Sequence, residues 1–337
     1  MDRIIRSDLE ALEKQLEGDK LQYEGALITG GAGFLGSWLC EILVSAKVSV
    51  YSVDNLSTGL MENIDHLLNA KNFTFRKSDT TQPEFGSEKY GLILHFASRA
   101  SPEEYQEHPI ETLIANSQGT QNMLELARKK DAILVYASTS EVYGDAEEIP
   151  TPETYWGKVN PVGVRSCYDE GKRYGEALCM AYMRTYNLDT RILRLFNTYG
   201  PRIRHEGAYA RAVPRFIHQA LEGEDITVFG DGKQTRSFCY ITDTIRGILK
   251  VAATPIARGE IFNIGKPDEI TVMDLAEKIG KLTGSFSRIV HKPLPPDDPK
   301  RRCPDITKAK TFLNWSPQIS LEEGLKKTIS WFEAKSE

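Results

Sequence analysis

The sequence predicts an α/β protein built on a doubly wound parallel sheet, with a smaller α/β domain on its C-terminal side. Three observations carry this. Short apolar runs, ALIT, VSVYSV, FTFRK, LILHFA, AILVYA and TRILRLF, alternate with helix-patterned stretches between Ala26 and Phe196, the rhythm of βαβ units whose strands are buried on both faces. A glycine-rich turn follows the first run directly. Beyond Phe196 the alternation breaks into turn-rich segments, then one more strand pattern, EIFNIG, and a proline-rich charged loop, KPLPPDDPKRRCPD.

Taken in order, residues 1–22 read as a separate amphipathic helix, with Ile5, Leu9, Leu12 and Leu16 at helical spacing and Ser7 and Glu10 as its capping box. Residues 23–196 form the dinucleotide domain, to which 232–263 return. Residues 197–231 and 264–337 form the domain that closes over a substrate, including a helix, TVMDLAEKIGKLTG, capped by Thr271. A length of 337 residues at 40% hydrophobic and 26% charged content suits this plan. The net charge of −5 includes no basic stripe, which argues against nucleic acid or an acidic membrane as the main partner. Five scattered cysteines show no metal-binding spacing, so they read as reduced thiols and no metal site is expected. With no secretory signal pattern and no apolar run of ~18 residues, a cytoplasmic enzyme is expected.

The turn Gly30-Gly31-Ala32-Gly33-Phe34-Leu35-Gly36 joins ALIT to a helix beginning SWLCEILVSA. Gly30 permits the tight turn, Gly33 the approach of a pyrophosphate, and Gly36 close helix–strand packing, the Rossmann-type arrangement in which the helix N-terminus faces the anion. Asp54 ends the next strand, where a carboxylate accepts from the adenosine ribose and repels a 2′-phosphate, so NAD is favoured. Asp79, after the third strand, is a candidate for the adenine edge. Phe34, Leu35, Asn55, Thr80 and Ala97 complete the expected cofactor crevice.

Tyr168 and Lys172 lie one helical turn apart on one face. Tyrosine has a pKa near ~10, and a neighbouring cation stabilises its phenolate, allowing it to take a proton from a hydroxyl as hydride leaves the carbon. The segment AILVYASTSEVYG brings Thr139, Ser140 and Glu141 to the end of a parallel strand, where ligands bind. His95 reads as a structural neighbour, and Tyr143, Trp156 and Tyr240 as packing.

With these residues in place, the chain resembles the extended short-chain dehydrogenase/reductase family of nucleotide-sugar enzymes over roughly residues 25 to 320. The segments HFASRASPEEYQEHPIETL, STSEVYG, YWGKVNPVGVRSCYDEGKR, FNTYGPR, GKQTRSFCYITD and DDPKRRCPDITKAK are most similar to the branch of that family that decarboxylates UDP-glucuronate. The resemblance implies oxidation of the sugar 4-hydroxyl, loss of the carboxylate from the 4-keto acid, and return of the hydride to give UDP-xylose, with NAD recycled in each turnover. It assigns Thr139, Tyr168 and Lys172 to the redox step, with Tyr168 and Lys172 also touching the cofactor. Ser140, Glu141 and Arg302 govern the carboxylate and its protonation. Related 4,6-dehydratases have an Asp where Ser140 stands, and related 4-epimerases usually have a small or neutral residue where Glu141 stands. A 4-epimerase acting on another nucleotide sugar is the rival enzyme reading, and a non-catalytic NAD-binding scaffold the rival of another class. Ser98, Asn197, Arg211, Arg236, Glu141 and Arg302 are implied to hold the UDP-sugar, a task for which the arginine fork suits paired phosphate oxygens. Asn116 matches a position that supports the site geometry. Relatives pair through helices that include the Tyr168–Lys172 segment, which implies a homodimer. Two departures stand out: Arg99, where a proline is usual, and the loop IRHEGAYAR. Both could touch substrate.

Overall fold

Strands that are apolar on both faces can be buried only between two helical layers. The computed structural model, which describes the chain apart from residues 1, 19, 20, 22, 85, 205–210 and 337, has this arrangement. β1 (Ala26–Thr29), β2 (Val50–Asp54), β3 (Phe73–Lys77), β4 (Leu92–His95), β5 (Ile133–Thr139), β6 (Thr190–Leu195) and the strand Ile261–Ile264 form one sheet. From one edge to the other the order is Ile261–Ile264, β6, β5, β4, β1, β2, β3, and every neighbouring pair is parallel. Each strand expected from the pattern is present, and EIFNIG supplies the seventh.

Side chains alternate between two cores along each strand. Ala26, Ile28, Leu92, Leu94 and Val135 enter one core, with helix α2 (Phe34–Ser45) and the helix Ile241–Ala253. Leu27, Ile93, Leu134 and Tyr136 enter the other, with Met123, Leu124 and Cys179. All five cysteines are buried and free. Among the described residues no helix is long and apolar enough to cross a membrane. The strand order reverses between β1 and β4, which opens a crevice at the carboxyl ends of the strands.

Three two-stranded pairings follow β6. Thr198–Tyr199 runs parallel to Cys239–Tyr240, Thr235–Ser237 antiparallel to Glu269–Thr271, and Ile226–Phe229 parallel to Ile289–Lys292. Thr271 caps the helix Val272–Thr283, its hydroxyl accepting from the Asp274 amide at 3.0 Å.

Helix α1 spans Arg3–Gln15 and begins at Asp2 rather than at Ser7, which lies inside it. The Asp2 carboxylate accepts from the Ile4 and Ile5 amides at 2.7 and 3.4 Å. A charged cap at the positive end of the helix serves at least as well as a hydroxyl. Ile5, Leu9 and Leu12 are buried, and so is Asp8 on the same stripe. Asp8 accepts from the Tyr240 hydroxyl at 2.5 Å and pairs with the Lys327 ammonium at 2.7 Å, which supplies the compensation a buried carboxylate requires.

Candidate active site

β1 ends at Gly30, which has φ +72°, and a Cβ there would sit 2.9 Å from the Phe96 carbonyl. Only glycine fits such a turn. A Cβ on Gly36 would collide with the Gly30 carbonyl, so the start of α2 can press against the strand end. Gly33 caps α2 without a side chain, and the first-turn amides keep their capacity for an anion. This cradle fits the diphosphate of a dinucleotide. The cleft above it, of about 490 Å³, is lined by Gly30, Gly33, Phe34, Leu35, Gly36, Asp54, Asn55, Asp79, Thr80 and Ala97.

Asp54 is tied to the glycine turn. Its carboxylate accepts from the Ala32 amide at 3.0 Å and the Leu56 amide at 2.8 Å, which braces the glycine turn. Each oxygen has a further lone pair for a ribose hydroxyl. Burial pushes its carboxyl up, against those two hydrogen bonds. Asp79 accepts from the Thr81 amide and hydroxyl and from the Asn55 side-chain amide at 2.7–2.8 Å. Burial opposes its charge, but these donors, with Arg99 nearby, hold the carboxyl below its usual range.

A second cleft, of about 400 Å³, shares Leu35, Phe96, Ser98, Ala100, Ile203 and Arg211 with the first, so the two are continuous. Thr139, Ser140, Glu141, Tyr168 and Lys172 line it, together with Asn197, Arg236 and Arg302. Tyr168 and Lys172 are in this second cleft rather than the first. They lie on the buried face of the helix Ser166–Tyr186. The Tyr168 ring stacks on Tyr105 with centroids 5.0 Å apart and an interplanar angle of 1°. Lys172 donates to the Ala137 carbonyl at 2.8 Å, and its ammonium is 5.9 Å from the Tyr168 ring centroid.

Burial pushes the Tyr168 phenol up to about 12, offset in part by a hydrogen bond with Thr139 and by the charge of Arg211. Burial pushes Lys172 down to about 7. Sequence reasoning gave the lowering of the Tyr168 pKa to Lys172; in the structure Thr139 is the larger influence. The Lys172 ammonium is committed to a backbone carbonyl and is itself desolvated.

Around Glu141 the charges condense into a network. Its carboxylate is bonded by Arg302 on one oxygen and by Arg165 on the other. Burial opposes this charge, yet the two guanidinium groups hold the carboxyl well below its ordinary range. Arg165 also lies 3.9 Å from Asp169 and 3.8 Å from Asp298, and Asp298 in turn pairs with Arg236 at 2.8 Å. Burial and the neighbouring Glu141 push Asp169 up. One terminal nitrogen of Arg302, Nη2, is buried without a hydrogen-bond partner among the described residues, a donor available to an anion in the cavity.

Among the substrate candidates, Asn197 donates to the Ser237 carbonyl at 3.1 Å and Arg211 to the Ala100 carbonyl at 3.4 Å. Arg165, Asp298 and Tyr105 also line this cleft, and sequence reasoning missed them. The position of Arg165 three residues before Tyr168 and the acidic pair inside PPDDP were the available signals. Arg99 lines the glycine-turn cleft beside Ser98 and Arg211 and does not line the second cleft. Much of the loop IRHEGAYAR lies outside the described residues. His95 is buried between Thr29 and Thr120, at 2.7 and 3.2 Å from their hydroxyls, and burial pushes it down to about 3, consistent with a structural neighbour. Asn116 donates to Thr112 inside a π-helical turn, packed on Gly171. Tyr143 and Tyr240 are buried, but Trp156 is 90% exposed and packs no core.

Residues 26–265 match the NAD dependent epimerase/dehydratase family. UDP-glucuronic acid decarboxylase 1 of Danio rerio is 46% identical over 311 residues, which cover 92% of this chain and 73% of that protein. UDP-glucuronic acid decarboxylase 4 of Arabidopsis thaliana is 44% identical, over 92% of this chain and 68% of its own length. Among solved structures, UDP-glucose 4-epimerase from Thermotoga maritima with UDP-glucose superposes with a TM-score of 0.86 at 32% identity, covering 93% of this chain and all of that one. A dTDP-glucose 4,6-dehydratase from Streptomyces venezuelae with NAD bound gives 0.83 at 28% identity, covering 92% of this chain and 97% of that one.

Proposed function

The chain belongs to the NAD dependent epimerase/dehydratase family, and from that premise we propose that it decarboxylates UDP-glucuronate to UDP-xylose through a 4-keto intermediate. The observation that carries this reading is Glu141, held as a carboxylate between Arg302 and Arg165 in the same cleft as Tyr168 and Lys172. An epimerase of a neutral sugar such as UDP-glucose has no sugar carboxylate to manage. Here an ion pair with a spare arginine donor stands ready for one.

Bound NAD supplies the site with a hydride acceptor and, later in the turnover, a hydride donor. Gly30, Gly33 and Gly36 seat its diphosphate, and Asp54 takes the adenosine ribose. Tyr168 removes the proton of the 4-hydroxyl, with the Thr139 hydroxyl stabilising the phenolate. Lys172, fixed on the Ala137 carbonyl, stands beside the Tyr168 ring. Oxidation at carbon 4 makes the carboxylate β to a ketone, so carbon dioxide can leave while the electron pair of the broken carbon–carbon bond stays on the sugar as an enolate; protonation of carbon 5 and return of hydride to carbon 4 then give UDP-xylose. Arg302 holds the departing carboxylate, and Ser140 and Glu141 flank the ring where carbon 5 is reprotonated. Asn197, Arg211 and Arg236, with Ser98, hold the UDP portion.

We assign 23–196 and 232–263 to the cofactor lobe, and 197–231 with 264–337 to the substrate lobe. A homodimer is consistent with the exposed apolar residues Ile110, Leu113, Ile114 and Tyr174 on adjoining helices. Five free, buried cysteines fit a reducing compartment such as the cytoplasm. The structural likeness to UDP-glucose 4-epimerase favours epimerisation as the second reading. Incubation of the purified protein with UDP-glucuronate, with and without added NAD+, decides between them by product mass and NMR. Carbon dioxide and a UDP-pentose are expected; UDP-galacturonate, or unchanged substrate, would overturn the proposal.

A further inference from the structure

We propose that Asp298 is an internal counter-anion, occupying in the free protein the arginine position that the substrate diphosphate takes, so that substrate entry is an exchange of one anion for another. The inference rests on the assignment of Arg236 to the diphosphate made above.

Three guanidinium groups, Arg165, Arg236 and Arg302, converge on one cavity wall, and their side chains are 9%, 12% and 5% exposed. Such a cluster is costly unless carboxylates accompany it. Glu141 answers Arg302 and Arg165 from the inside. Asp298 answers from the mouth: one oxygen is 2.8 Å from Nη2 of Arg236, the other 3.8 Å from Nη1 of Arg165. The remaining terminal nitrogen of Arg236 donates to the Thr235 carbonyl at 2.8 Å. Each terminal nitrogen of Arg236 thus already donates one of its two N–H groups, and a phosphate that approaches Nη2 meets the Asp298 carboxylate as a competing anion.

Asp298 is suited to leave. At 23% exposure it is more open than either arginine it bonds, and it sits in the proline-rich segment that lines the cavity with Pro295, Pro296 and Pro299. The same segment has an independent tether, Asp297, which accepts from the Asn160 side-chain amide at 3.3 Å. The segment can stay anchored while Asp298 releases. A diphosphate offers more charge and more acceptor oxygens than one carboxylate, and arginine binds paired phosphate oxygens well, so the exchange runs toward substrate.

The test is calorimetric titration of UDP into the NAD-loaded protein. Asp298→Asn removes the competing charge and is expected to tighten UDP roughly three- to fivefold, the upper end of the scale of a partly exposed ion pair. Asp298→Ala, which also removes the acceptor, shifts affinity the same way. Asp297→Asn, which alters the tether but not the arginine, leaves affinity within twofold. Unchanged or weaker UDP binding by both Asp298 variants overturns the inference, because a residue that merely anchors the segment weakens binding when removed. Equal tightening by Asp297→Asn overturns it as well, because loosening the segment would then account for the effect. Arg236→Met separates the two layers of argument. Weakened UDP binding upholds the diphosphate assignment whatever Asp298 does, whereas unchanged binding removes that assignment and this inference with it.

Discussion

Replacing Arg165 by methionine keeps most of the side chain's length and deletes its charge. The guanidinium is 9% exposed and faces the carboxylates of Glu141, Asp169 and Asp298. Removing one partner of a buried pair costs about 3–5 kcal/mol, because the remaining charge is left uncompensated. Arg302 still holds Glu141, which puts the variant at about 3 kcal/mol, the low end of that range. An unfolding entropy of about 2.1 cal/mol/K per residue gives about 0.7 kcal/mol/K for 337 residues, so the midpoint should fall by about 4 °C. The pH dependence has a definite sign. The folded Glu141 carboxyl is depressed below its ordinary value of 4.5, so its contribution is fully present above that pH and is lost as the pH falls through 4.5 and lower. The deficit of the variant is therefore complete at pH 7 and shrinks in acid. Glutamine at 141 needs no counter-charge, so Arg165→Met combined with Glu141→Gln loses less than the sum of the single changes. Scanning calorimetry of the four proteins from pH 3.5 to 7 measures both effects. Strict additivity, or a deficit independent of pH, would refute the reasoning.

Tyr168→Phe should lower turnover of UDP-glucuronate by about 10²–10⁴-fold, the range of a lost general base, while the protein still binds NAD; steady-state rates and bound-nucleotide content measure this, and near-normal turnover would remove Tyr168 from the role of base. Gly36→Ala should abolish dinucleotide binding, since the added Cβ meets the Gly30 carbonyl; equilibrium dialysis showing wild-type affinity in a folded variant would move the diphosphate seat elsewhere. Asp8→Ala leaves the Lys327 ammonium and the Tyr240 hydroxyl without this acceptor and should cost about 2–3 kcal/mol. Urea denaturation tests it, and an unchanged midpoint would mean that these two bonds contribute nothing to stability.

What could be read along the chain was what local pattern encodes. Alternating apolar runs, the spacing of Gly30, Gly33 and Gly36, and the one-turn separation of Tyr168 and Lys172 each express geometry within a few residues, and the fold class with its glycine-turn cleft followed from them. Features that depend on distant pairing did not announce themselves. Asp298 looks like a solvated loop acid until the chain returns it to Arg236, 62 positions earlier. Arg165 bonds Glu141 across 24 positions. Asp8 occupies an apolar stripe, where a carboxylate reads as an interruption, because its partner Lys327 is far away in sequence. The starting point of α1 was misread for a smaller reason: Asp2 and Ser7 both satisfy the capping rule, and only the backbone shows which one does the capping.

The connectivity also orders events in time. β6 can gain its outer neighbour only when Ile261–Ile264 arrives, after more than sixty intervening residues have made their own pairings. Until then one edge of a hydrophobic parallel sheet offers unpaired backbone groups to any other chain that comes near. Asp8 and Lys327 meet across 319 residues, so α1 must wait for the helix Leu321–Ser336 before its buried charge is answered. Contacts of such separation are made late, because loop closure precedes the reward. Misassembly is therefore expected to be most frequent before α1 meets the helix Leu321–Ser336, and refolding yield should rise as protein concentration falls.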